Sequence, residues 1–472
     1  MKKDLIKSFL VYGLGDAFSK LVPFLLLPFF TEVLLLEEYG VLEIINTIIL
    51  ILAVLGRVQL DTSLQRFFYE EKKQNELVST VFWAIVCLTF ILGIVGFLFS
   101  DSLSQIIFET SEYSYLIKMA CIVVLFININ SYFSIICRYL NMPLYFTIIT
   151  FFGVLLNGLL SLYLVYVLKI GLVGILYGQI LGFVTTSILF MVLCRNYIRF
   201  NFTKPIFIKA LQFAMPSFPA AILAVFNMHI NKFVMLYFLT SASIGVYSIA
   251  LNLGSGVNII VGAFSLVWYP FMYKNYNETS GKKLIYDIYY LACFVIMNII
   301  IVIACFVEDL LPFLIKNTTY HDSFYLVAAV SLCFFYRIIK YILDSSMLIE
   351  KKTVFITYQY IVTLLVNILF LFLLIQGFEL VGVIIALVLA TITSILMSFY
   401  FMKKMKLFSF KADVLFLTML YSTIVVFINL RYDFEFIYRV LFVLVTAIIS
   451  FLVIKSRYKL SLANLNFLKK IS

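Results

Sequence analysis

Charged side chains are scarce in this sequence. Asp, Glu, Lys and Arg make up 12% of the 472 residues, whereas hydrophobic residues make up 64%. Ordinary soluble domains carry roughly 25% charged residues. The composition therefore excludes an ordinary soluble domain and indicates an integral membrane protein. The basic residues are spread over short loops and not gathered in one domain, which argues against a nucleic-acid partner.

Metal-binding and redox patterns are also lacking. The two histidines lie far apart, and none of the seven cysteines belongs to a CxxC pair. All seven cysteines fall within or at the ends of apolar runs, where cysteine behaves as a small buried hydrophobic residue. We therefore expect neither a metal site nor a cofactor.

Long apolar runs, by contrast, fill the chain. A helix needs about 20 apolar residues to cross the hydrocarbon core of a bilayer, and windows of that length predict about fourteen spans. The predicted spans lie near residues 8–30, 41–63, 77–99, 114–136, 144–168, 171–194, 211–238, 244–266, 284–307, 323–346, 354–375, 379–401, 413–430 and 436–454. No connecting loop is long enough for a separate domain. The predicted fold is an all-α polytopic membrane protein.

The distribution of lysine and arginine predicts the orientation of these spans. Most of the 35 Lys and Arg residues lie at the two termini or in loops on the same side as the termini. The opposite loops hold only Lys169, Lys316, Arg431 and Arg439. Because basic loops stay in the cytoplasm, both termini are predicted to be cytoplasmic.

The second half of the sequence repeats parts of the first. LLLEEYGVLEIINTI aligns with LTSASIGVYSIALNL, which matches Gly40 to Gly245 about 205 residues later. Farther along, Asn157 matches Asn367. Both halves begin on the cytoplasmic side, so the repeat is parallel, about an axis along the membrane normal. Such repeats place a cavity between two lobes near the midplane, where rocking gives alternating access.

The repeat predicts four parts of the chain. They are an N-terminal lobe of six spans (1–200), a C-terminal lobe of six spans (205–403), two further spans (411–456) and a basic cytoplasmic tail (457–472).

Several charged residues interrupt the apolar spans. The bases within spans are Lys20, Arg57, Lys118, Lys232, Arg337 and Lys340. Three of them have an acid four residues away, in the pairs Asp16–Lys20, Arg57–Asp61 and Lys340–Asp344. Each such pair could neutralise itself on one helix face. Arg57 and Lys118 are also close enough to span ends to extend their charges to the interface.

Arg337 differs from the other bases in spans. It lies near the middle of its span and has no acid three or four residues away. A guanidinium at that depth must face water, a partner helix or an anionic ligand. Set against Asp16, Asp61 and Asp344, the six bases leave an excess of about three positive charges. The sign favours an anionic cargo, such as a pyrophosphate or an acidic sugar.

Amide side chains within the spans allow two interpretations. Asn128, Asn130, Asn157 and Asn367 suit sugar hydroxyls, or they form hydrogen bonds between helices. We favour the second role for Asn157 and Asn367 because both halves keep them. The candidate cavity residues are Arg337, Lys232, Lys20, Lys340, Arg57, Asp16 and Asn128.

Several stretches carry a family resemblance. They are YGLGDAFSKLVPFLLLPFFT with EEYGVLEI, then TSLQRFFYE, then FAMPSFPAAI and NKFVMLYFLTSASIGVYSIA. In their order and spacing they resemble the polysaccharide transport family of the multidrug/oligosaccharidyl-lipid/polysaccharide (MOP) flippase superfamily. The resemblance is greatest to bacterial O-antigen flippases of the Wzx-like type. Members often have Asp-Arg where this chain has Asn231-Lys232, so the acidic neighbour is lost.

The resemblance implies a function. The expected cargo is an undecaprenyl-pyrophosphate-linked oligosaccharide repeat unit, flipped from the inner to the outer leaflet of the bacterial cytoplasmic membrane through a cationic cavity. It also implies a polysaccharide polymerase and a chain-length regulator as partners, and no ATP hydrolysis. The sequence indeed contains no GxxxxGK[ST] phosphate loop.

Two other classes of function remain open. One is export of a different cargo within the superfamily, by a drug/cation antiporter or a peptidoglycan precursor flippase. The basic excess disfavours organic cations. The other is a membrane enzyme such as a glycan polymerase, which is disfavoured because the exterior connections around 100–113 and 308–322 are short.

Overall fold

A computed structural model gives the structure of residues 21–71, 73–140, 142–350, 352, 354–429, 432 and 434–457. These residues form helices and short connections, with no β-strand among them. The prediction of an all-α fold is confirmed. Asp16 and Lys20 lie outside the described residues.

The contacts divide the chain into two compact units, between Ser248 and Ile249. The division falls inside a helix. It does not test the predicted lobes, 1–200 and 205–403, which stay predictions. The first unit contains α1 (Leu21–Val33), α2 (Leu36–Arg57), α3 (Leu60–Phe67), α4 (Gln74–Leu98), α5 (Ser100–Phe108), α6 (Ser114–Tyr139), α7 (Pro143–Leu162), α8 (Leu172–Leu193), α9 (Lys204–Ala214), α10 (Phe218–Phe238) and the start of α11 (Ser241–Ser255).

The second unit contains the end of α11 and six further helices. They are α12 (Asn258–Asn275), α13 (Thr279–Leu314), α14 (Phe324–Ile349), α15 (Val354–Met405), α16 (Ala412–Asn429) and α17 (Phe436–Arg457). Across the described chain, 11 helices are long and apolar enough to cross a membrane. The chain is therefore a multi-pass membrane protein.

The remaining predicted spans do not correspond to single long helices. Only the second part of the first span is described, as α1. The window at 244–266 is shared by α11 and α12. The windows at 354–375 and 379–401 both fall in α15, which is broken at Glu379 (φ 46°, ψ −126°). Each predicted span thus has a helix at its position.

The predicted span at 41–63 is interrupted. Its helix α2 ends at Arg57, because Val58 and Gln59 both adopt left-handed backbone angles, with φ of 47° and 57°. The chain restarts as α3, which packs on α9 where the Ser63 hydroxyl donates to the carbonyl of Ala210 at 2.6 Å. Arg57 and Asp61 therefore belong to different helices. The predicted pair still forms across the break, with an Arg57 nitrogen 4.0 Å from an Asp61 carboxylate oxygen, so only the expectation of a shared helix face is wrong.

Helix α14 is the central helix of the second unit. It packs against α12, α13, α15 and α16. Polar contacts reinforce this packing: the Trp268 indole N–H donates to the Ser345 hydroxyl at 2.8 Å, and Tyr336 donates to the carbonyl of Met419 at 3.2 Å. This packing holds the charged residues of α14 inside a helix bundle.

Candidate functional site

A buried ion pair joins α2 to α10. The Lys232 ammonium donates to the Glu43 carboxylate at 2.6 Å, and their side chains are only 6% and 12% exposed. Taking two such charges out of water costs roughly several kcal/mol per ion. The attraction between them offsets this cost only while both partners are present. Removing either residue would therefore leave the other as an unpaired buried charge.

Glu43 is a further acid within a predicted span, and it is not among the acids set against the span bases above. It lies three residues inside the predicted span at 41–63, in the run LEIINTIILIL. Since α2 packs against α10, this carboxylate faces a neighbouring helix. The positive excess of about three is therefore too large. The acid that the sequence lacks beside Lys232 comes from another helix.

The neighbour of Lys232 on α10 is also buried. Asn231 donates its amide N–H to the Tyr247 hydroxyl on α11 at 3.0 Å. Lys232 thus connects α10 to α2, while Asn231 connects α10 to α11. Three helices of the first unit meet at these two consecutive residues.

Glycines allow α2 and α11 to touch through their backbones. A Cβ added to Gly40 would lie 1.9 Å from the Ser241 carbonyl oxygen, and one added to Gly245 would lie 2.3 Å from that of Leu36. These are the residues that the sequence repeat pairs: Gly40 with Gly245, and Leu36 with Ser241. The contact is therefore reciprocal, as in an interface between two identical surfaces. No side chain can fit at this crossing.

A second charged cluster lies in the second unit, between α14 and α15. The Lys340 ammonium donates to the Asp344 carboxylate at 2.6 Å, to the Ser398 hydroxyl at 3.2 Å and to the Gln359 amide oxygen. The predicted pair of Lys340 with Asp344 is confirmed. An ammonium has three N–H donors, and all three are used here. In this structure Lys340 has no donor left for a ligand.

Arg337 lies one turn before Lys340 on α14. Its guanidinium carbon is 4.7 Å from the centre of the Phe334 ring, and its side chain is half-buried. Within the described part of the chain, no carboxylate lies within ion-pair distance of it. Lys232 and Lys340 do have carboxylate partners, at 2.6 Å each. Among the span bases that the structure describes, Arg337 is therefore the one without a carboxylate partner.

The candidates Arg57 and Asn128, and the further span base Lys118, each contact a charged or polar side chain. Arg57 is 4.0 Å from Asp61, and Lys118 is 3.9 Å from Asp101 on α5. Asn128 is fully buried, and its amide donates to the Thr89 hydroxyl at 2.9 Å. Asn128 thus bonds α6 to α4 in this structure. A contact between Asn128 and cargo stays a prediction.

Solved structures similar to this one are membrane transporters. The lipid II flippase MurJ in an inward closed conformation matches with a TM-score of 0.73 and 15% identity, covering 96% of this chain and 100% of its own. A MATE-family multidrug resistance transporter of the MOP superfamily in an inward-facing conformation matches with 0.63 and 16%, over 84% and 95%. The Vibrio cholerae MATE transporter VcmN in the bent form matches with 0.57 and 14%, over 86% and 99%. These similarities show that the chain has the MOP transporter fold.

The sequence itself matches one family model. No curated protein gives a significant match. The model of the polysaccharide biosynthesis protein family matches residues 5–276, more than half of the chain. The chain belongs to the polysaccharide biosynthesis protein family.

Proposed function

We propose that this protein flips undecaprenyl-pyrophosphate-linked oligosaccharide units from the inner to the outer leaflet of the bacterial cytoplasmic membrane. The observation that carries the proposal is Arg337, a base on a membrane-spanning helix with no carboxylate partner among the described residues. The family membership and the MOP transporter fold support a transport role over an enzymatic one.

The cargo chemistry explains why such a base is needed. A pyrophosphate linked to a lipid must cross an apolar layer in which its charge is poorly solvated. Arginine binds phosphate oxygens through two parallel N–H donors and is more weakly hydrated than lysine. The half-buried Arg337 guanidinium replaces part of the water that the pyrophosphate loses. Alternating access would then carry the head group across while the lipid tail stays in the bilayer.

The proposal also includes the orientation of the protein in the membrane and its partner proteins. The loop charges support cytoplasmic termini. A membrane polymerase and a chain-length regulator would act on the flipped units, so both are proposed partners. Neither needs a large surface on this chain, because the lipid-linked product can diffuse between them.

The test is to measure the undecaprenyl-pyrophosphate oligosaccharide, and the leaflet that holds it, in cells lacking this protein. We expect complete repeat units to accumulate on the cytoplasmic face. Wild type should clear them, Arg337→Ala should not, and Arg337→Lys should clear them partly. Lys118→Gln is the matched control, since this base, near the start of α6, already pairs with Asp101. Absence of inner-face accumulation would overturn the proposal.

A second candidate is a flippase for a peptidoglycan precursor. It is favoured by the structural similarity to MurJ, a lipid II flippase. The same cells distinguish the two candidates. Accumulation of peptidoglycan precursor with normal levels of oligosaccharide would support this second function.

A further inference from the structure

We propose that Glu43 is a gating residue of the transporter: it holds Lys232 while the contact between α2, α10 and α11 is closed, and the pyrophosphate of the cargo displaces it. The inference rests on the proposed function. Its structural basis is the 2.6 Å ion pair and the glycine crossing beside it.

The position of the contact indicates that it must open. Gly40 and Gly245 are equivalent positions of the sequence repeat, so their contact lies where one repeat meets the other. Alternating access moves one repeat against the other and separates such contacts at one end of the protein. The short connection at Leu239 and Thr240 joins α10 to α11, so both helices are held against α2 near the same end.

The ion pair lies within one turn of this crossing. Glu43 follows Gly40 by three residues on α2. Separating α2 from α10 therefore breaks the ion pair as well as the backbone contact. A buried ammonium that loses its partner needs another anion. A pyrophosphate supplies phosphate oxygens, and these can take the place of the Glu43 carboxylate.

Glu43 and the cargo then compete for one ammonium. In the closed contact the Lys232 ammonium is held by a carboxylate at 2.6 Å and is nearly inaccessible to solvent. Because this ammonium is buried, an anion reaches it only when α2 and α10 separate, and that separation removes the carboxylate. The competition would couple arrival of the cargo to opening, and it would leave the contact closed when no cargo is bound.

The test uses purified full-length protein in lipid nanodiscs and undecaprenyl pyrophosphate as the probe. Glu43→Gln removes the competing charge at nearly constant size, so we expect about tenfold tighter binding of the probe. Lys232→Gln should bind it about tenfold more weakly, since the ammonium is lost. Combined with Lys232→Gln, the Glu43→Gln substitution should have a much smaller effect.

The matched control is Glu71→Gln. Glu71, in the connection after α3, pairs with Lys209 on α9 at 3.1 Å, but the Lys209 side chain is 50% exposed. We expect wild-type binding for this variant. Unchanged or weaker binding by Glu43→Gln, with normal binding by wild type, would overturn the proposal.

A labelling experiment tests opening directly. Ser248 is buried one turn beyond Gly245, so Ser248→Cys introduces a thiol of similar size behind the closed contact. In a Cys87→Ser background we expect slow reaction with a membrane-impermeant maleimide, and faster reaction when the probe is added. This measurement is made on protein that retains Glu43, so it tests opening of the contact even if Glu43→Gln does not fold. Labelling that the probe leaves unchanged would contradict the gating role.

These measurements distinguish failure of the proposed function from failure of the gating inference. If neither wild type nor any variant binds undecaprenyl pyrophosphate, the proposed function fails. Faster labelling of Glu43→Gln without any probe would still support the role of Glu43 in closure. If wild type binds the probe but Glu43→Gln binds it no more tightly, only the gating inference fails.

Discussion

Gly40 and Gly245 cross without a side chain between them: a Cβ added to Gly40 would lie 1.9 Å from the carbonyl oxygen of Ser241. That oxygen belongs to a helix backbone, so it cannot move aside as a flexible side chain could. The crossing therefore fixes how closely α2 and α11 approach.

The first prediction concerns this crossing. We expect Gly40→Ala to push α2 away from α11 and to lower the thermal midpoint of unfolding in detergent, because its Cβ meets backbone. Gly377→Ala is the control, since a Cβ there would have no neighbour within 4 Å. Alanine at position 377 reduces the conformational freedom of the unfolded chain, so the thermal midpoint of this control should stay the same or rise. Equal midpoints for Gly40→Ala and wild type would contradict the close crossing.

The second prediction concerns the Glu43–Lys232 pair. Removing one partner, by Lys232→Met or Glu43→Leu, should destabilise the fold by about 3–5 kcal/mol, because the remaining charge stays buried. The double variant should recover most of that loss. A double-mutant cycle of reversible unfolding in mixed detergent micelles measures the coupling.

An exposed pair serves as the comparison for that cycle. The same cycle on Glu71 and Lys209, with a half-exposed lysine, should give at most about 1 kcal/mol of coupling. Similar coupling energies for both pairs would show that burial does not strengthen the Glu43–Lys232 interaction.

The third prediction concerns the acceptors of Lys340. Asp344→Asn should destabilise the second unit more than Ser398→Ala, because it removes the countercharge of a largely buried ammonium. Ser398→Ala removes one hydrogen bond from this ammonium to a neutral acceptor, worth about 1.5–3 kcal/mol, and leaves the countercharge in place. Limited proteolysis on heating compares the two variants. A larger effect of Ser398→Ala would mean that Lys340 does not depend on Asp344.

The fourth prediction concerns thiol reactivity. Cys87 is exposed, whereas the other six cysteines are buried. Cys87 lies near the middle of the membrane-spanning α4, so its thiol faces detergent, and titration of the folded protein with a small permeant maleimide should give one thiol per chain that reacts before unfolding. Unfolding should make the remaining six thiols reactive. The reaction before unfolding should be absent from Cys87→Ser, and its persistence there would show that another cysteine is accessible.

Hydropathy and local charge spacing predicted much of this architecture. Each predicted span has a helix at its position, because about 20 apolar residues are readily recognised in any sequence context. The contact of Lys340 with Asp344 was also predictable, since residues four apart on a helix are neighbours. Both features depend only on residues close together in the sequence.

Features that depend on distant residues or on backbone breaks were not predictable. Glu43 and Lys232 are 189 residues apart, and no local rule pairs them. The break after Arg57 occurs at Val58 and Gln59, neither of which is a residue type that favours a left-handed backbone. Neighbouring helices impose such geometry, and the sequence alone does not say which helices are neighbours.

The repeat alignment that pairs Gly40 with Gly245 also pairs Glu43 with Ser248. The crossing is therefore symmetric in its backbone and asymmetric in its electrostatics: one side offers a carboxylate to a lysine, and the other a small neutral hydroxyl. Two equivalent helices meet, but only α2 is held by an ionic contact. Under the proposed gating role, an anion at this junction would therefore meet one attractive partner, Lys232, and one competing carboxylate, Glu43, both on the α2–α10 side of the crossing.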